Sequence, residues 1–89
     1  TYAIEVVMDF AMPRPANHTG TGKNRGKLKP WAPHWHTNKP DIDNAVKQVL
    51  DLLHGFIYTD DKCVSSVTAK KFYTPEGEKP GCRIRIYLA

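Results

Sequence analysis

Between Phe10 and Pro40 the chain has no Asp or Glu at all, although Arg14, Lys23, Arg25, Lys27, Lys29 and Lys39 lie there. The formal net charge is +4, so the residues outside that stretch are left at −2. The basic excess is local, and a polyanion would meet it as a patch. Charge alone leaves nucleic-acid contact and a solvated, solubilising loop about equally open. Long hydrophobic runs are missing too. No apolar stretch approaches a membrane span, and no charged-then-apolar leader precedes a cleavage site, which argues for a soluble, cytoplasmic protein with no membrane partner. Cysteine is scarce: Cys63 and Cys82 fit no metal or redox spacing. If the strands on either side of residues 74–80 form a hairpin, Cys82 lies near Tyr73 and Cys63 roughly 33 Å further along. That geometry speaks against a disulfide and leaves two reduced, partly buried thiols. The chain opens at Thr1 rather than Met and enters a strand pattern almost at once. The expectation is a fragment whose N-terminal portion is missing. Internal repeats and low-complexity tracts are absent, and 89 residues suffice for a single small domain, 1–89, with one modest core.

What is present divides by period. From Tyr2 to Phe10, Ile4, Val6, Met8 and Phe10 alternate with Ala3, Glu5, Val7 and Asp9, the pattern of a half-buried strand. Residues 11–38 then dissolve into Pro, Gly, Asn, Thr and basic residues, a loop too long for an ordinary connection and therefore functional or disordered. Trp31, His34, Trp35 and His36 at its distal end could stack on bases or anchor the loop, and packing of at least one Trp onto the domain is the expectation. On a wheel of 100° steps, Asn44, Lys47, Gln48, Asp51 and His54 follow Asp43 on a polar stripe. Ile42, Ala45, Val46, Val49, Leu50, Leu52 and Leu53 fill the rest, and Gly55 stands where a left-handed cap ends a helix. Lys62 to Tyr73 reads as a strand with imperfect alternation, Val67, Ala69 and Tyr73 to one side and Val64, Thr68 and Phe72 to the other. Pro75, Gly77, Pro80 and Gly81 mark a turn before a closing strand carrying Cys82, Ile84, Ile86 and Leu88 on one face. The order strand, loop, helix, strand, strand predicts an α/β (α+β) domain, a small mixed sheet with one principal amphipathic helix packed on it.

The chemistry gathers at Lys39-Pro40-Asp41-Ile42-Asp43-Asn44, answered later by Asp60-Asp61. Pro, Asp and Asn are helix-start residues, so Asp41 and Asp43 should sit where extended chain becomes helix and both carboxylates can point at one spot. Lys47 follows Asp43 by one turn on the same face. Clustered carboxylates repel unless a cation lies between them. Mg²⁺ suits that role, because it takes hard oxygen ligands from a few carboxylates and completes its shell with water and phosphate. Asp41, Asp43 and one of Asp60 and Asp61 would supply the oxygens, with Lys47 stabilising negative charge on a phosphoryl group. The plainer alternatives are a helix cap, a turn, and a one-turn ion pair of Lys47 with Asp43 or Asp51 worth a few tenths of a kcal/mol. His34 and His36, without a partnered Cys or His motif, point only weakly to zinc.

The run from Lys39 to Asn44, then Lys47, Asp51, Leu53, Gly55 and Tyr58-Thr59-Asp60-Asp61, resembles the signature of the RusA family of Holliday-junction resolvases. Its pattern is Lys-Pro-Asp-x-Asp-Asn, a Lys four residues after the second Asp, an Asp-x-Leu-x-Gly helix end and a Tyr-x-Asp-Asp turn. The match is specific over the last half of the chain, while the first strand and basic loop agree in kind and hardly in residues. The resemblance implies a RusA-like fold and a homodimeric, Mg²⁺-dependent endodeoxyribonuclease, with Mn²⁺ as an alternative metal and no small-molecule cofactor. It would nick four-way DNA junctions symmetrically in the recombination and repair of bacteria and their prophages. It further implies that Asp41, Asp43 and Asp61 are the essential acids and metal ligands, Lys47 the essential lysine and Asp60 an accessory acid. Arg14, Lys23, Arg25, Lys27, Lys29 and Lys39 would grip backbone phosphates, which position DNA without reading sequence. Cys63 departs from the polar residue, often Gln, usual after the Asp pair, and the strand and helix that family members carry before this region are expected to be absent. Two rival classes remain: a non-catalytic nucleic-acid-binding module with structural acids, and a metal-free dimerisation domain.

Overall fold

The computed structural model describes residues 2–89, the side chain of Asp61 excepted. Its elements are β1 (Ile4–Met12), α1 (Ile42–Leu53), β2 (Val64–Tyr73) and β3 (Gly81–Leu88), with short 3₁₀ turns in the basic loop and just before β2. The strands form a mixed sheet in the order β2-β1-β3, with β1 parallel to β2 and antiparallel to β3. One helix on one mixed sheet is the α+β arrangement that the periodicity predicts. β1 is central, and what sets it apart is the burial of the alternating large apolar groups on one of its faces. Val6 and Met8 are 0% exposed, and Ile4 and Phe10 are buried beside them.

A parallel pair cannot be joined by a tight turn, and the crossover from β1 to β2 is made by the basic loop and α1. The helix lays Ala45 and Val49 on Val6, Met8 and Phe10, with Val46, Leu50 and Leu53 closing the edges. Each fully buried side chain of that size contributes roughly 1.5–3 kcal/mol. Gly55, with φ of 89°, ends α1 as expected, and Tyr58 then turns inward, its hydroxyl donating 2.8 Å to the Leu50 carbonyl. The cap and the tyrosine together fold the chain back under the C-terminal end of the helix.

The structure departs from the sequence pattern in two places. β2 and β3 do not pair as a hairpin. They flank β1, because the central strand needs a neighbour on each side to satisfy both of its backbone edges. Cys63 therefore packs near Ile4 while Cys82 sits opposite Phe10, and both thiols are free, Cys63 buried and Cys82 exposed. The alternation of β2 is also broken. Val64 pairs with Ile4 but Ser66 with Glu5, so Ser65 is an extra residue and Val64 joins Val67 on the face turned to the helix.

The basic loop is ordered, though little of it is apolar. The molecule measures 56 × 20 × 18 Å, longer than the roughly 33 Å of a ten-residue strand. Arg14 ties it down: Nε donates 2.8 Å to the Thr74 carbonyl, Nη1 donates 2.8 Å to the Pro33 carbonyl and lies 3.2 Å from Nδ1 of His18, and the guanidinium lies over the Tyr73 ring. Histidines rather than tryptophans pack back onto the domain. His18 and His36 are 6% and 9% exposed, both edge-on to Tyr73, whereas Trp31 and Trp35 are 56% and 57% exposed. Trp31 meets His18 edge-on. Among the described residues no helix is long and apolar enough to cross a membrane.

Candidate active site

The chain approaches the helix start along the outer edge of β2. His36 N–H donates to the Lys71 carbonyl at 3.3 Å and Tyr73 N–H donates to the His34 carbonyl at 2.8 Å, so residues 34–36 add a short antiparallel strand there. Asn38 Nδ2 donates 3.1 Å to the Tyr73 hydroxyl. Lys71 Nζ then donates to two main-chain carbonyls, Asn38 at 2.7 Å and Pro40 at 2.6 Å, on either side of Lys39. The Lys39-Pro40 peptide is cis. Asp41 follows in extended geometry, φ −64° and ψ 150°, and the helix begins at Ile42.

Asp41 is the N-cap of α1, and its carbonyl accepts from Ala45 N–H at 3.1 Å, but its side chain makes no capping hydrogen bond. A capping residue normally spends its oxygen on the first amides. Here that carboxylate is left exposed to solvent, beside Lys39, Pro40 and Asn44, with which it lines a surface depression of about 450 Å³. Asp43 stands in the first helical turn, its Oδ1 accepting from Asn44 N–H at 3.0 Å, where the positive end of the helix dipole favours an anion. It lines a second and larger groove, about 510 Å³, between α1 and β2. Lys47 and Asp51 share the rim, and Val46, Leu50, Tyr58, Val64, Val67 and Ala69 form the floor. Among the described residues the ion pair that forms is Arg85 with Asp9 on the opposite face, so Lys47 is not spent on Asp43 or Asp51.

Asp60 lies elsewhere. Its Oδ1 accepts from Lys62 N–H and its carbonyl from Cys63 N–H, each at 3.0 Å, a turn leading into the 3₁₀ segment that starts at Asp61. That turn sits at the Ile4 end of the sheet, since Val64 pairs with Ile4, whereas Lys71 beside the approach to Asp41 pairs with Phe10. The twelve residues of α1 stand between them, roughly 18 Å of helix. Asp41, Asp43 and Lys47 are thus brought to one end of the helix and Asp60 with the backbone of Asp61 to the other. The Asp61 side chain lies outside the described residues. Among those that are described, no three of His, Cys, Asp and Glu come together as a group that could hold a metal, which includes His34 and His36.

The basic residues divide as well. Lys23, Arg25 and Lys27 are exposed on the loop, Lys29 lies over the Trp31 ring, and Lys39 borders Asp41. Arg14 is committed to internal bonds. Lys71 is the residue that sequence reasoning passes over. Its signal is a lysine at a β2 position that shares the helix-side register of Val67, Ala69 and Tyr73, where an apolar residue is expected. His36 is the other. Its buried Nδ1 has no partner, and burial, assisted by the Lys71 ammonium, holds its pKa below the ordinary 6.5.

The family model of endodeoxyribonuclease RusA matches residues 1–87, taking in β1 and the basic loop as well as the acidic motifs. The chain belongs to the RusA family. It is also 38% identical over 77 residues to the uncharacterized protein YqaN of Bacillus subtilis (strain 168), a match that covers 83% of this chain and 50% of that protein. The chain thus spans about half the length of the curated relative it matches. No solved structure matches. Within this RusA-family chain, the carboxylates of Asp41 and Asp43 and the ammonium of Lys47 stand on the first turns of one helix, beside a basic loop.

Proposed function

We propose that this chain is the catalytic unit of a Mg²⁺-dependent, structure-specific endodeoxyribonuclease that resolves four-way DNA junctions by paired symmetric nicks. The observation that carries the reading is the Asp41 carboxylate, placed at the N-cap yet unused for capping, two residues before Asp43, which in turn lies one helical turn from Lys47. Asp41, Asp43 and Asp61 would hold the metal, Mg²⁺ or Mn²⁺, which supplies an acidified water and screens the scissile phosphate. Lys47, which forms no ion pair among the described residues, offers its ammonium to charge building on a phosphoryl oxygen. Lys23, Arg25, Lys27 and Lys29 hold backbone phosphates along the loop, and Lys39 does so beside the acids.

The split of the acids bears on the oligomer. One chain holds its Asp60-Asp61 turn a helix length from Asp41, so we infer that the third acid comes from a second copy. A twofold dimer with antiparallel α1 helices would set the Asp61 end of each against the Asp43 end of the other. Both ends offer apolar surface for it: Phe56 is 86% exposed beside the Asp60 turn, and the groove next to Asp43 is floored by apolar side chains. Two composite sites related by a twofold axis also match the two opposed nicks that resolution needs.

The test is cleavage of a synthetic four-way junction with and without Mg²⁺. Asp43→Asn should keep its fold by circular dichroism and lose cleavage by at least about two orders of magnitude. Comparable cleavage by variant and wild type rules out the ligand role. Mixing Asp43→Asn with Asp61→Asn then reads the composite arrangement. A mixed dimer would carry one doubly altered and one intact site, so nicking should reappear, whereas sites built within single chains would stay dead. The second reading, a non-catalytic nucleic-acid-binding module, is favoured by the backbone bonds of Asp43 and Asp60, and it predicts junction binding without Mg²⁺-dependent cleavage.

A further inference from the structure

We propose that Lys71 is a positioning residue that sets the direction of the Asp41 carboxylate and of the Lys39 side chain. The inference rests on the metal-nuclease reading above. A lysine on the helix-facing register of a strand is out of place by hydropathy, because its ammonium must find oxygen partners or reach water. Lys71 finds two main-chain carbonyls, Asn38 at 2.7 Å and Pro40 at 2.6 Å. Charge-assisted bonds of this length are the strong kind. Peptide units are planar, so holding the Pro40 oxygen also holds the amide of Asp41, and holding the Asn38 oxygen holds the amide of Lys39. The Asp41 side chain has no capping bond to orient it. Its direction is therefore inherited from the peptide plane on which its Cα is mounted, and that plane is fixed from β2.

The anchor is itself well supported. Lys71 lies on a strand whose partner is Phe10 of the buried central strand, and its own carbonyl accepts the His36 amide, so ammonium and backbone both hold the approach segment. Both donors that Lys71 directs at this segment go to carbonyls ahead of Asp41. This geometry assigns Lys71 to the support of the acid rather than to DNA contact. Support of this sort around a metal ligand is typically worth about 10–100-fold in metal affinity or activity.

Lys71→Met keeps the length of the stem and removes the cation, and Lys71→Arg keeps the cation but not the geometry. The readouts are Mn²⁺ affinity by titration, amide hydrogen exchange of residues 39–45 in metal-free protein, and junction cleavage resolved into kcat and KM. For Lys71→Met the expected result is about a tenfold or greater loss of Mn²⁺ affinity and of kcat, faster exchange at Asp41 and the first helical turn, and unchanged KM. Lys71→Arg should fall between the variant and wild type, and it carries the test if the methionine variant does not fold. A folded variant with wild-type Mn²⁺ affinity and exchange overturns the inference. So does a raised KM with kcat unchanged, which would make Lys71 a phosphate contact. Wild-type protein that binds no Mn²⁺ would bring down the metal-nuclease reading and this inference together, whereas wild-type binding with unaltered binding in the variant removes only the role of Lys71.

Discussion

The helix-covered core and the basic loop are held by different forces. In the core, β1 and α1 meet through side chains that share no polar group, and stability there comes from area removed from water. In the loop, Arg14 and Lys71 reach main-chain oxygens, and His18 and His36 lean on Tyr73, so order comes from a few directional contacts. The first arrangement tolerates small shifts and is spread over many residues. The second is concentrated, and losing a single donor frees a long segment. The difference matters because the Asp41 end of the candidate site is mounted on the second kind of structure while Asp43 and Lys47 ride on the first.

Four variants probe that contrast. The largest effect should come from Met8→Ala, which empties fully buried volume on the central strand and is expected to cost about 2–5 kcal/mol in denaturant unfolding. A loss under about 1 kcal/mol would show the core to be less tightly packed than the buried strand implies. Arg14→Met should cost less globally, about 1–3 kcal/mol, for the carbonyls of Thr74 and Pro33 it leaves unpaired. Its mark should be local: faster amide exchange in residues 13–36 with α1 and β1 unchanged. Uniform change across both regions would erase the distinction.

A smaller effect follows from His36. Its pKa is held below 6.5 in the folded chain by burial and then by Lys71, so the unfolded chain binds the proton more readily. Stability should fall as pH drops below about 6.5 and continue to fall until the lower, folded-state value is passed. His36→Phe, which keeps a ring against Tyr73, should flatten that part of the pH–stability curve. An unchanged curve would mean that the imidazole titrates alike in both states. The smallest effect on stability, within about 0.5 kcal/mol, is expected for Arg25→Ala, Lys27→Ala and Lys29→Ala together, since these side chains lie out on the loop. Their effect should be on DNA instead, lowering the slope of log K against log salt by up to about three. An unchanged slope would mean that the loop does not touch phosphates.

The same contrast explains what could be read in advance. β1 and α1 announce themselves by period, and Gly55 marks the helix end, because apolar burial repeats with the geometry of the element. The acidic motifs locate the Asp41 end of the site by spacing, and Asp41 and Asp43 do fall where extended chain becomes helix. Side-chain-to-carbonyl bonds have no period. The tie of Arg14 to Thr74 spans 60 residues and that of Lys71 to Asn38 spans 33, and nothing local to either residue predicts its partner. The bulge at Ser65 shifted the face of Val64, and the flanking of β1 by both later strands is a choice of pairing that alternation cannot express. The distance between the Asp41 and Asp60 ends was hidden for a related reason. Sequence brings the two motifs within about twenty residues, but the helix between them is stiff and carries them apart.

The central position of β1 also has a bearing on how the chain is made. Ile4 pairs with Val64 on one side and with Leu88 on the other. Of these three strands β1 is therefore synthesised first and completed last, and its most apolar side chains wait until both β2 and β3 have been made. Pairings so distant in sequence close large loops before they gain contacts, and they fold slowly for that reason. During that wait the nascent chain carries a bare hydrophobic strand followed by a basic, acid-free tail. Until the partners of β1 arrive, its unpaired edges and exposed apolar side chains invite association with other unfinished chains.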